Sequence, residues 1–222
     1  PLIQKGCGRI IPPVQEKKMF TDAFIKCSAD ESAALLTRLT NSFSNHGLNK
    51  DGIMVLKKTL TFYKDAIYYD MTQIEPYPTR TLHLVDWGQD IFVCDGNESH
   101  LLAFNQKCPL LLDRTNVLDY IRFYFAHVVG PHGLSRVIDT VDDLQLKEEP
   151  SAHVRKSLHD KIVPLVLNGT LTKGGYQARG TILVEQTMFS AFIDIQNTGA
   201  VTVELGRVLA DLLPTSNRLL EA

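Results

Sequence analysis

One stretch, Asp113 to Gly133, constrains the fold more than any other part of the chain. At about 100° per residue, Val117, Leu118, Tyr120, Ile121, Tyr124, Phe125, Val128 and Val129 fall on one half of a helical wheel, with Asp119, Arg122 and Ala126 opposite. So wide an apolar face must pack against a sheet or between other elements. Asn116 is placed to cap this helix, with Asp119 among its first free N–H groups. Gly130 and Pro131 stop it, because glycine permits a left-handed exit and proline cannot continue the helix. Phe123 lies off the stripe and reads as a partly exposed aromatic, available to a partner subunit.

Two histidines close this segment. His127 lies in the last helical turn, where the macrodipole favours a cation. His132 follows in the glycine-rich turn. They do not form a helical i, i+4 pair, and no HExxH or CxxC accompanies them. Dipole compensation or packing explains both, with an acid–base role as the sharper alternative.

A helix begins at Ser28, because Ser28-Ala29-Asp30-Glu31 has the capping-box pattern. Leu36, Leu39 and Phe43 give its core face, and His46-Gly47 its end. Residues 53–104 read as mostly β. Ile53–Tyr63, Ala66–Ile74, Thr81–Asp86, Asp90–Cys94 and His100–Phe104 are separated by turn residues, so an antiparallel meander is expected. Asp95-Gly96 is a strong hairpin signal and explains Asp95 as a turn residue. His83 and His100 are then polar residues on exposed strand faces. A Cys94/His100/Asp95 nucleophile is the competing reading, but the spacing implies no geometric partner.

Beyond the central helix, Leu134–Ile138 is a short strand and Asp139–Glu149 a solvated acidic connector. The connector lacks the alternating ligands and central glycine of a calcium loop. Ser151–Leu167 begins as a helix that Pro164 must break. Tyr176–Glu185, Met188–Gln196 and Ala200–Leu205 form a second meander, with Asn197-Thr198-Gly199 as a hairpin connector. Val208, Leu209, Leu212 and Leu213 have the spacing of a final short helix.

The expected architecture is α+β, with antiparallel β meanders covered by amphipathic helices. The organisation is an N-terminal arm (1–27), a helix with a β meander and the central helix (28–138), and a helix with a three-strand meander (139–222), all of which can belong to one domain. Strands in hairpin runs and the missing glycine fingerprint oppose a parallel dinucleotide-binding sheet.

With 44% apolar and 22% charged residues, a chain of 222 residues can bury a core without disulfides or metals. The net charge of −2 opposes a broad nucleic-acid footprint. A local basic face would need Lys57, Lys58, Arg155 and Lys156 to converge. Cys7, Cys27, Cys94 and Cys108 match no zinc module and fit reduced thiols. The sequence carries neither a metal nor a cofactor fingerprint. With no apolar run long enough to span a membrane and no signal-peptide core, the expected setting is cytoplasmic.

The leading functional reading is a noncatalytic ligand-binding or protein-assembly module, with self-association or a small-molecule ligand as its partner. The alternative is a small-molecule enzyme with a histidine/carboxylate site between sheet and helix. Its candidates are His127, His132, His100 and Asp95.

Overall fold

Ser28 and Glu31 start the first helix as their sequence requires. The Ser28 N–H donates to Glu31 Oε2 at 2.9 Å, and the Glu31 N–H returns to Ser28 Oγ at 3.2 Å. The computed structural model describes residues 24–42, 48, 52–73, 79–88, 90–130 and 133–215. Residues 1–23 of the N-terminal arm, Phe43, His46, Gly47 and His132 lie outside the described residues.

The described residues form an α+β fold with two antiparallel five-stranded sheets. The first is a meander of β1 (Ile25–Lys26), β2 (Ile53–Thr59), β3 (Ile67–Gln73), β4 (Arg80–Asp86) and β5 (Ile91–Val93), paired in chain order. The strand boundaries follow the β-branched and aromatic runs closely. Alternation splits β3 and β4 between two cores. Met71 and Leu84 pack with Leu35, Leu36 and Leu39 of α1 (Ala29–Ser42). Tyr68 and Val85 join the larger core on the other side, with Phe123 and Ile121 of α3 (Val117–His127). Arg38 fastens α1 to the sheet through a bidentate pair with the buried Asp86 carboxylate.

The second sheet is built on β8 (Tyr176–Val184), β9 (Thr187–Ile195) and β10 (Val201–Ala210). Two short strands share the remaining edge of β8. β6 (Ser135–Ile138) pairs with residues 181–184, and β7 (Val166–Thr170) with residues 176–179. Between them lie a 3-10 helix (Val141–Leu144) and α4 (Ala152–His159). Ala178, Ile182, Ala191, Ile193 and Ile195 face the same core as α3, so α3 is covered by both sheets.

That double cover corrects the reading of Phe123, which is fully buried rather than partly exposed. A one-sided stripe was the wrong template for a helix with sheet on two sides. The cap is also different. Asn116 makes no side-chain cap bond; its amide donates to Leu111 O and Thr61 O, while Asp113 accepts from the Thr115 and Asn116 N–H groups. The helix ends at His127, and Val128 is already extended.

Three further expectations are overturned. Residues 98–107 form a helix, α2 (Glu98–Lys107), where a strand over His100–Phe104 was expected. Asn97 accepts from the Ser99 N–H, so the Asp95-Gly96-Asn97 group starts a helix instead of closing a hairpin. The helix from Ser151 ends at His159, ahead of Pro164, and Val166–Thr170 becomes β7. Val208 and Leu209 belong to β10, not to a final helix. Two register shifts in β10, between Leu205 and Val208 and between Val208 and Ala210, break the period-2 pattern and give it a helix-like spacing.

The acidic connector is used locally. Asp143 accepts from the Thr140 N–H in a capping box, and Asp139 pairs with Arg122 and accepts from the Leu165 N–H. The basic residues are engaged too. Lys57 pairs with Glu31, Lys58 is 8% exposed, and Arg155 pairs with Asp142 and Glu149. No helix among the described residues is long and apolar enough to cross a membrane.

Candidate functional site

Gly96 joins the start of α2 to the end of α3. It forms a parallel bridge with Val128, and its carbonyl accepts from the Val129 N–H at 2.9 Å. Its φ of +86° is left-handed, and a Cβ would lie 3.2 Å from Val129 Cγ2, so glycine suits the position twice over. The junction brings Glu98, in the first turn of α2, to Tyr124, one turn from the end of α3. The Tyr124 hydroxyl donates to Glu98 Oε1 at 2.8 Å. Burial pushes the Tyr124 phenol up, and the Glu98 carboxylate pushes it further, so it remains a neutral donor.

Beside this pair opens a cleft of ≈ 270 Å³ between α3 and the second sheet. Its walls are Phe125 and Val128 on one side and Ile182, Val184, Val203 and Leu205 on the other. Alternation along β10 turns Val201, Val203 and Leu205 inward, yet each stays half-buried. Ser135, Thr202 and the Glu98–Tyr124 pair are polar groups on the lining, and Glu98 is its one charged residue among the described residues. A concave apolar slot with a few fixed polar groups is the usual form of a small-ligand site, and this one lies just below the usual range of volumes.

No protein-family model, curated protein or solved structure matches the chain. Function must therefore be read from the geometry alone.

The structure brings Asp95 and His100 together. His100 Nδ1 lies 2.6 Å from Asp95 Oδ2, and Asp95 Oδ1 accepts from the Asn97 N–H. Burial opposes ionisation of Asp95, but the Asn97 and His100 bonds outweigh it and hold the carboxyl below its usual range. Both side chains are well exposed, His100 at 60% and Asp95 at 41%. His100 is thus a helix residue oriented by Asp95. The neighbouring Cys94 is a poor nucleophile, because burial pushes its thiol well up and the Asp95 charge adds to the shift.

His127 goes elsewhere. It is 9% exposed, and its ring lies 4.9 Å from those of His83 and Phe123 and 5.3 Å from Tyr68. It is packed in the core between α3 and the first sheet. His83, expected on an exposed strand face, is half-buried because α3 covers that face; its Nε2 is 3.6 Å from Asp70 Oδ1. Among the described residues, no three histidine, cysteine or acidic side chains gather as metal ligands.

Sequence reasoning missed Glu98, Tyr124 and the β10 face. Tyr124 was legible only as a core residue, since its hydroxyl partner depends on the tertiary bridge at Gly96. The alternation Val201, Val203, Leu205 was a usable signal for a strand with one apolar face.

Proposed function

We propose that the protein is a ligand-binding module whose site is the cleft between α3 and β10, and whose ligand is a small apolar molecule with a cationic, hydrogen-bond-donating head. One observation carries this reading: among the described residues, a slot with mainly apolar walls has Glu98 as its single charged side chain. Covering the half-buried β10 residues supplies the drive to bind, at about 25 cal/mol per Å² of apolar surface. The carboxylate selects the head group through a charge-assisted bond. Ligand binding is favoured over assembly because Phe123, the residue offered to a partner subunit, is buried within the chain. A cytoplasmic setting is part of the reading, supported by free thiols at Cys27, Cys94 and Cys108.

Calorimetric titration with phenethylamine and with its neutral counterpart 2-phenylethanol tests the proposal. The amine is expected to bind about tenfold tighter, and Glu98→Gln to remove that preference while leaving the alcohol unchanged. Equal binding of the two by the native protein contradicts it.

The Asp95–His100 pair favours a second reading, an enzyme that uses His100 as a general base at the start of α2. On that reading His100→Ala abolishes conversion of a bound molecule without weakening its binding.

A further inference from the structure

The face of the second sheet turned away from α3 carries a different chemistry. Cross-strand register places Arg179, Phe192 and Glu204 in one row across β8, β9 and β10, and Gln177, Asp194 and Thr202 in the next. Phe192 is 47% exposed in the middle of its strand, although its neighbours Ala191 and Ile193 are buried on the other face. The second row is already oriented. Asn168 Nδ2 donates to Gln177 Oε1 at 2.6 Å, and Gln177 Nε2 donates to Asp194 Oδ1 at 2.9 Å. These bonds fix the Gln177 amide and the Asp194 carboxylate before any ligand arrives. A depression of ≈ 350 Å³, lined by Gln177, Phe192, Asp194, Thr202 and Glu204, lies over the two rows.

We infer that this depression is a carbohydrate site that takes a pyranose ring. A pyranose has a C–H face that suits an aromatic surface and a rim of hydroxyls that suits carboxylate and amide acceptors. The charge pattern complements a neutral ligand. Asp194 and Glu204 repel phosphate or sulfate polyanions, while Arg179, in the Phe192 row, opposes a simple cation. Adjacent strands, about 5 Å apart, set Glu204 beside the Phe192 ring in one row and Thr202 beside Asp194 in the next, so acceptor oxygens flank the aromatic surface on the scale of one sugar ring. This surface lies on the opposite face of the sheet from the cleft at Glu98, and Thr202 of β10 borders both.

The test is an amide ¹H–¹⁵N titration of the full chain with the methyl glycosides of glucose, galactose, mannose and N-acetylglucosamine. At least one, at concentrations up to about 50 mM, should shift the amides of Gln177, Phe192, Asp194 and Glu204 with a millimolar dissociation constant. Phe192→Ala and Asp194→Asn, both at accessible positions, should each weaken it about tenfold while thermal unfolding stays unchanged. A second arm offers the same sugar as the end group of a glycopeptide. Equal affinity assigns recognition to the ring alone, and tighter binding that Phe192→Ala abolishes assigns a protein-linked glycan; both support the inference. It is overturned if no glycoside shifts these amides, or if Phe192→Ala binds as well as the native chain.

Discussion

Phe123→Ala is expected to lower the free energy of unfolding by about 3–5 kcal/mol. The ring is fully buried, 5.5 Å from Phe62, 6.1 Å from Tyr68 and 4.9 Å from His127. Its loss removes apolar contact and leaves a cavity that cannot collapse easily, because Tyr68 is held in β3 and His127 in α3. Urea unfolding followed by circular dichroism measures the change, with the slope unaltered if the two end states are unchanged. A loss under about 1 kcal/mol would match an exposed surface aromatic and contradict the packing of α3 between two sheets.

Gly199→Ala should be comparably damaging, for a different reason. Gly199 has a φ of +86°, and a Cβ there would sit 2.3 Å from both Tyr120 Oη and Asn105 Nδ2. Those atoms cannot simply move aside. The Tyr120 hydroxyl donates to Gly199 O at 2.7 Å, Asn105 Nδ2 donates to Thr198 O at 3.1 Å and to Tyr120 Oη at 3.2 Å, and Tyr63 donates to Asn105 Oδ1. This network ties α2 and α3 to the β9–β10 connection. An added methyl strains the backbone and opens buried hydrogen bonds, together about 2–4 kcal/mol. Gly169→Ala is the control, since no atom lies within 4 Å of its Cβ position. Thermal unfolding should separate the two variants by several degrees, and equal melting temperatures would contradict the network.

The parts of the fold that were legible in the sequence are those fixed by local chemistry. Ser28 and Glu31 satisfy each other's backbone donors, so the start of α1 could be read directly. The β3 strand is dense in β-branched and aromatic residues, and in both β3 and β4 alternate side chains face different cores. The α2 helix was hidden because Asp95-Gly96-Asn97 fits two local roles, a hairpin turn and a helix cap. Leu101, Phe104 and Asn105 do have the i, i+3, i+4 spacing of a buried helical face, but one of the three is polar. It is buried to serve Tyr63 and Tyr120, a reason that exists only in three dimensions. The end of β10 was misread because bulges shift its phase.

The candidate site shows the same division. Asp95 and His100 are five residues apart, and the local turn brings them together. Glu98 and Tyr124 are separated by 26 residues and meet only because Gly96 bridges Val128. His127 was placed correctly at the helix end, but the first sheet, through Tyr68 and His83, turned that end into core.

Methyl-resolved NMR of the full chain with phenethylamine is the decisive measurement for the proposed α3–β10 ligand site. Saturable shifts of the Val184, Val203 and Leu205 methyls are expected, with no comparable response from Val55 or Leu39 under the first sheet. Shifts spread evenly over the molecule, or confined to methyls outside the cleft, would contradict the proposed site.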